Sequence, residues 1–488
     1  MSILELLHSH PPRYGPEWGS GGIFGLKYHR GFLYYTLAFE GEAHFVSKDG
    51  VRITYDFALV GPPPTSGGDT YNAVDAVDDT IFFGGWVHAP AVYKGEGRIS
   101  FVNKYSHVHY FDTSDLKVRL LWREGLGHEE LWAGEVTDLI YNPVRDELLA
   151  ARGDGHDRLG VYSIDMKGRS SRISDRRSLK GAILADYACF DYMDPETLEV
   201  RGVHCYNLAT LKGVEVDLES APSVDGVGPA SPVPGVVASS HGRLMVFVRG
   251  GVFVGDPLGS LDDPMKFVRL LDLGASGYGP FRTMAKSVGG GVLVAFNSYT
   301  HAVRRTYRGA ERVPEKEALD AILAPTLLLY ITPPTARIVG VLGARVTGLE
   351  LVGDKILLAT NTDANYMRLD ATPIDTGHRG FIALPQETLQ STPPPARIHF
   401  RLPEGWGGTF GGIPLEGYKR PELKVEAGGD ATLYVAEYDL AMPHPLSRVE
   451  KYQLARGWNV IDLSGFGNSI VSFRVEGGGL LRALVDLK

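Results

Sequence analysis

This chain is written in a cadence. Strand-like runs fill nearly the whole of its 488 residues, and they fall into groups of four separated by tight turns. The stretch Glu135 to Ile173 is typical. Val136 to Tyr141 alternates as a strand, Asn142-Pro143-Val144-Arg145-Asp146 turns it, and Glu147 to Ala151 runs back. The polar run Arg152 to Arg158 leads to a third strand, Leu159 to Asp165, and a fourth follows Gly168 at Ser171 to Ile173. A four-stranded antiparallel meander of this size is the blade of a β-propeller. The same cadence recurs over Gly22–Phe57, Asn72–Trp122, Ile183–Leu218, Pro234–Leu273, Phe281–Leu342 and Arg345–Leu402. Its period of about 40–60 residues is that of propeller blades rather than of solenoid coils. The sequence therefore predicts an all-β protein, a ring of about seven blades from residue 20 to about 405. No WD or Kelch signature marks the units, and six or eight blades fit the same pattern. The 60 Gly and 30 Pro supply turns, and the 23 Tyr and 20 Phe supply strand formers.

Two segments depart from the cadence. Arg312 to Leu323 reads RVPEKEALDAIL: Pro314 suits a first helical turn, and Leu319, Ile322 and Leu323 share a face. This predicts a short helical insertion at about residues 312–324, within the sixth blade. After the Gly- and Pro-rich stretch Gly405 to Pro421, segments such as ATLYVAEYDL and NSIVSFRVEGG alternate cleanly between acid-Gly turns. They predict a small antiparallel β-sandwich. The expected organisation is a propeller over residues 1–420 and a sandwich module over 421–488.

Charge and motif content narrow the function classes. Lys+Arg number 49 against 58 Asp+Glu, a formal net charge of −9, which is a poor match to a phosphate backbone, so no nucleic-acid partner is expected. The opening MSILELLHSHPP lacks a basic start, and the longest apolar stretch, Ala321 to Ile331, contains Pro325 and is shorter than the ~20 residues of a spanning helix. A cytoplasmic protein without a membrane partner is expected. There is no Walker loop, G-x-S-x-G elbow, HExxH or CxxC, and hence no nucleotide cofactor is expected. The two cysteines, Cys189 and Cys205, lie in neighbouring strands of one unit. Two small buried apolar residues are the favoured reading over a disulfide.

In a propeller, the loops that lead into each innermost strand and those joining second to third strands open on one face. Aligned this way, His44, His88, His156 and His301 take similar offsets past the second strand in four units. Asp363 and Asn365 occupy the corresponding loop of the seventh unit, and Trp86 and Tyr299 flank two of the histidines. Positions at the start of the inner strands add Asn72, Asp75, Glu135, Asp138, Asp186, Arg282 and Glu350. Imidazoles and carboxylates converging on a funnel can hold a divalent metal (Zn, Mn or Ca) or move protons near neutral pH. The assignments are His44, His301 and Asp363 as metal ligands, and His88, His156 and Arg282 as catalytic groups, with Arg282 a carboxylate clamp. Trp86, Asp75, Asp138, Tyr299 and Asn365 are assigned to the ligand. The competing reading makes each a solvated loop residue or an inter-blade contact. The Arg152–Asp157 loop alternates Asp and Gly as calcium loops do, but lacks a downstream bidentate Glu and reads as a plain blade loop.

The segment RYGPEWGSGGIFGLKYHRGFLYYTLAFEGEAH, Arg13 to His44, resembles the start of an uncharacterised archaeal β-propeller family from thermophilic lineages. The resemblance implies an archaeal cytosolic origin and heat tolerance, and transfers no activity. Two functions fit these features. One is a metal-assisted lyase or hydrolase acting in the funnel on a sugar acid, lactone or oligosaccharide. The other is a scaffold that presents rim loops to a protein partner, or to copies of itself as a homo-oligomer.

Overall fold

A strand with neighbours on both faces needs apolar residues at every position. The strand Gly291–Ser298 shows what this does here. Val292, Val294 and Phe296 share a core with the preceding sheet, while Leu293 and Ala295 share one with the following sheet. Leu148 and Ala150 face one neighbour and Leu149 and Ala151 the other in the same way. Each fully buried Val or Leu contributes about 1.5–3 kcal/mol, so these seams hold the fold together.

The structure, a computed structural model, describes residues 3–10, 22–38, 40–93, 99–101, 103–229, 232–274, 278–298, 326–361, 379–403, 406–441 and 447–488. The expected helix at about 312–324 lies outside these residues, as do Tyr299, His301, Asp363 and Asn365. Seven antiparallel sheets follow one another in chain order, over residues 23–55, 66–124, 135–174, 181–217, 234–269, 278–342 and 345–385. Five of them include the simple order of four consecutive strands or its three-stranded form, and two carry extra inner pieces. The seventh sheet returns to the first: Leu357 and Ala359 share a core with Leu26, Leu33 and Tyr35. The Thr347 hydroxyl donates to the Ile23 carbonyl across this seam. The fold is a β-propeller.

The second and sixth sheets have divided inner strands. Ser66–Gly68 and Val74–Val77 both pair with Thr80–His88, and residues 69–73 leave the sheet between them. Tyr278–Gly279 and Ala285–Val288 likewise both pair with Gly291–Ser298, and residues 280–284 leave. Gly67 permits the first division: a Cβ there would stand 2.3 Å from the Trp86 carbonyl oxygen.

The tail forms two four-stranded sheets. One orders Ala396–His399, Leu480–Leu487, Glu422–Ala427 and Gly457–Asp462; the other Phe410–Pro414, Ile470–Gly477, Ala431–Tyr438 and Arg448–Leu454. Their inward residues, Leu423, Val425, Leu433 and Val435 among them, join a single core with Phe247 and Phe296 of the fifth and sixth sheets. The sequence reading put Ala396–His399 in the seventh unit; it pairs instead with Leu480–Leu487. Its alternation of buried Ala396 and Ile398 with exposed Arg397 and His399 suits a sheet with one wet face, not a propeller seam. Cys189 and Cys205 stand directly opposite each other and form a disulfide, so the preference for two unpaired thiols is corrected. No described helix is long and apolar enough to cross a membrane.

Candidate ligand site in the middle of the ring

The two departing loops are built by short-range chemistry and meet in the middle. The Asp69 carboxylate accepts the backbone N–H groups of Tyr71, Asn72 and Ala73, each at 2.7 Å, which winds residues 69–73 into a compact turn. Asn72 sits at φ 66°, a left-handed conformation that Asn tolerates. Its side-chain oxygen accepts from Gly25 N of the first sheet at 2.8 Å, and its amide donates to Thr283 O of the sixth at 3.0 Å. Arg282, at φ 43°, turns the opposite loop. The Lys180 ammonium, just ahead of the fourth sheet, donates to the carbonyls of Tyr71 and, at 2.8 Å, Thr137.

This framework brings four polar side chains together. The Tyr71 hydroxyl donates to Asp154 Oδ2 at 2.9 Å. The Arg282 guanidinium lies 4.9 Å from the Tyr71 ring centre, with Nη2 3.7 Å from the same Asp154 oxygen. Arg177 Nε donates to Gly153 O at 2.6 Å. Beside them opens a cavity of about 390 Å³, within the range of small-molecule sites. Its polar lining is Tyr71, Gly153, Asp154, Arg177 and Arg282. Its apolar lining is Leu179, Met193, Leu198, Val233, Pro234 and Phe281. Inner-strand starts and second-to-third-strand connections thus line one space. Burial pushes the Asp154 carboxyl up, but the Lys104 ammonium, the Arg282 guanidinium and the Tyr71 hydroxyl outweigh it, and it stays below the usual carboxylate range.

A second layer lies behind. The Lys104 ammonium is 4.3 Å from the ring centres of both Trp86 and Trp132. Burial lowers its pKa, with Glu135 and Asp154 opposing the shift. Burial raises the Glu135 carboxyl, against the pull of Lys104. Glu135 Oε1 accepts the Thr70 hydroxyl at 2.7 Å and so supports the loop that carries Tyr71.

Among the described residues, Arg282 is the sequence-assigned side chain that lines this cavity. Trp86 packs against Lys104 behind it. Asp75 and Asp138 join inner strands: Asp75 ion-pairs with Lys27 at 3.1 Å and accepts Tyr141 N at 2.8 Å, and Asp138 accepts Gly181 N at 2.7 Å. His88 is buried, 4.4 Å from the Trp86 ring, and burial with Lys104 nearby holds its pKa far below normal. His156 is exposed and accepts Trp132 N at 3.1 Å. His44 lies elsewhere, stacked 5.0 Å from Tyr35 and 3.3 Å from Glu42. The sequence reading put His44 and His88 in loops. Both are in strands, Glu42–Ser47 and Thr80–His88, because the neighbours of His44, Ala43 and Phe45, point into the core. Among the described residues no group of three or more His, Cys, Asp or Glu side chains is disposed to hold a metal. Sequence reasoning missed Tyr71, Lys104 and Arg177, and read Asp154 as part of a plain loop. The available signal was the parallel between Gly68-Asp69-Thr70-Tyr71-Asn72 and Gly279-Pro280-Phe281-Arg282-Thr283, each a glycine followed by an aromatic where an inner strand should run on.

Residues 33–369 match the family described as "Uncharacterized protein conserved in archaea (DUF2139)". The chain belongs to that family. No curated protein matches it. Among solved structures it is similar to a catalytically inactive virginiamycin B lyase from Staphylococcus aureus, at 10% identity, covering 78% of this chain and 99% of that one, with a TM-score of 0.43. A putative 6-phosphogluconolactonase from Bacteroides uniformis is similar at 11% identity, over 73% of this chain and 95% of that one, with a TM-score of 0.39. The β-propeller domain of the Trilobed protease from Pyrococcus furiosus is similar at 11% identity, over 75% and 93%, with a TM-score of 0.38.

Proposed function

We propose that this family member is a ligand-binding propeller whose central cavity takes a small organic anion in a cytoplasmic setting. The observation that carries the reading is the charge of the lining: Arg177 and Arg282 against the single carboxylate of Asp154, in a chain whose formal net charge is −9. A local excess of one positive charge suits a monocarboxylate, and a planar guanidinium can hold a carboxylate through two parallel hydrogen bonds. Of the classes the sequence pointed to, the sugar acid carries this charge; a lactone or neutral oligosaccharide does not.

Binding is better supported than proton transfer. The carboxylate on the lining is held ionised and acidic, which makes it a weak base, and Glu135 lies in the layer behind. The described residues do not fit a three-ligand metal centre, so no metal-assisted lyase or hydrolase step is derived. The reading includes two parts, a ring over 1–420 and a tail module from 421, with Ala396–His399 and Phe410–Pro414 lent to the tail's sheets. Equilibrium binding of simple carboxylates to the wild type and to Arg282→Ala tests it. Carboxylates should bind the wild type and be weakened at least ten-fold in the variant. Binding that ignores Arg282 would favour the protein-interaction scaffold.

A further inference from the structure

The cavity has two kinds of lining, and the apolar kind bears on the body of the ligand beyond its anionic head. Its polar lining, Tyr71, Gly153, Asp154, Arg177 and Arg282, forms one linked group: Tyr71 bonds to Asp154, Arg282 approaches both, and Arg177 bonds to Gly153. The rest of the wall is Leu179, Met193, Leu198, Val233, Pro234 and Phe281, and none of these side chains carries a hydrogen-bonding group. Among the described residues, no Ser, Thr, Asn, Gln or His lines the space. A sugar acid has a hydroxyl on nearly every carbon. Those placed against the apolar wall would leave water without finding a partner, at about 1–3 kcal/mol each. An apolar body gains instead from the same wall.

Leu198 gives an independent sign. It stands on the turn between the second and third strands of the fourth sheet, lines the cavity, and is 41% exposed. A large aliphatic side chain half in water at the cavity rim has apolar surface left to bury when a ligand arrives.

Resting on the anion-site reading, we infer that the ligand is an amphiphilic monocarboxylate: a carboxylate head between Arg282 and Arg177, and an aliphatic or aromatic body against Leu179, Met193, Leu198 and Phe281. The polyhydroxylated sugar acid is then excluded by the body, not by the head.

The test is calorimetric titration of the full chain with butyrate, hexanoate, cyclohexanecarboxylate and gluconate, repeated on Arg282→Ala and Leu198→Asn. Leu198 has φ 61°, which Asn adopts readily, so this variant retains the turn. Affinity should rise roughly three- to four-fold for each methylene buried. Hexanoate should therefore exceed butyrate about ten-fold, gluconate should be weakest, and Leu198→Asn should weaken cyclohexanecarboxylate several-fold, by a larger factor than butyrate. Arg282→Ala should weaken all the acids. If gluconate binds as tightly as hexanoate, in an Arg282-dependent way, the apolar-body inference is overturned and the anion site stands. If no acid binds, or none depends on Arg282, the anion site falls and this inference with it.

Discussion

The Tyr438 hydroxyl of the tail donates to the backbone carbonyl of Arg269 in the fifth sheet at 2.9 Å. The Arg269 side chain is itself 1% exposed and bonds to Asp225 at 2.8 Å, to Asp272, and to the carbonyls of Val227 and Gly228 at 2.9 and 3.0 Å. The backbone completes the joint: Leu271 N donates to Gly412 O, and Asp272 and Gly411 exchange both bonds. The tail is thus fixed to the ring by hydrogen bonds as well as by a shared core.

This joint predicts one cooperative unfolding transition for the whole chain in urea. Arg269→Met leaves two carboxylates buried without their cation and should cost about 3–5 kcal/mol. Tyr438→Phe removes one neutral donor and should cost about 1 kcal/mol. Two separated transitions in the wild type would show that the tail unfolds on its own.

Asn72 holds the two central loops to each other and to the first sheet, without lining the cavity itself. Asn72→Ala loses both of its cross-ring hydrogen bonds and puts a less tolerant residue at φ 66°. A cost of about 2–4 kcal/mol is expected, against about 1–2 for Asn72→Gly, which loses the bonds but accepts the conformation. The order Ala worse than Gly, read from denaturation midpoints, separates conformational demand from hydrogen bonding. The reverse order would mean that the left-handed turn is not maintained in solution.

The ring was legible because its physics is local. A run such as Val292-Leu293-Val294-Ala295-Phe296 announces burial on both faces whatever surrounds it. Arg282 was legible as a cation placed where an inner strand begins. The rest of the site was not, because Tyr71 lies on the loop dividing an inner strand of the second sheet, Asp154 ends a strand of the third, and Arg177 lies on the connection to the fourth; they meet only through the loop that Asp69 winds and Asn72 latches. The similar offsets of His44, His88 and His156 suggest convergence, yet offset along a sequence does not fix which face a strand residue takes. His44 stands opposite Tyr35 in the ladder, on the same face as Glu42, and so meets those two side chains. Ala396–His399 was misassigned for a related reason: a four-residue strand fits any sheet with a free edge.

The Cys189–Cys205 bond closes a loop with a sequence separation of 16, inside the core between the fourth and fifth sheets. For a loop of about this length, cross-linking the unfolded chain is worth about 3 kcal/mol. Replacing both cysteines with Ala should lower stability by about that amount or somewhat more, since packing is lost as well. Denaturation of the wild type with and without a thiol reductant should show a difference of about 3 kcal/mol, the share of the cross-link alone. Identical curves under full reduction would mean that the bond adds nothing to the fold.

His204 is buried and bonded to Ser178 at 2.9 Å and Tyr206 at 2.8 Å; burial, with a smaller effect from Arg176, lowers its pKa to about 3. The unfolded chain protonates this imidazole below pH ~6.5. Its contribution to stability is therefore complete above that pH and is lost as the pH falls from about 6.5 toward 3. Asp191 works the other way. Burial raises its carboxyl to about 7, against the backbone N–H groups of Lys180 and Leu179 that it accepts. The folded state keeps that proton up to about 7, while the unfolded chain releases it above pH ~4. Its contribution is complete below ~4 and is lost as the pH rises toward 7. At pH 5 the two groups oppose, so the wild-type slope of stability against pH conceals both. Single variants expose them. His204→Gln should lower that slope by about 1.4 kcal/mol per pH unit, and Asp191→Asn, which keeps an acceptor for the two N–H groups, should raise it by about the same. The measurement is a set of urea melts between pH 4.5 and 5.5 for the three proteins, about pH 5 being the point where each proton difference is close to one. Unchanged slopes in both variants would mean that these groups titrate in the folded protein as they do in the unfolded chain.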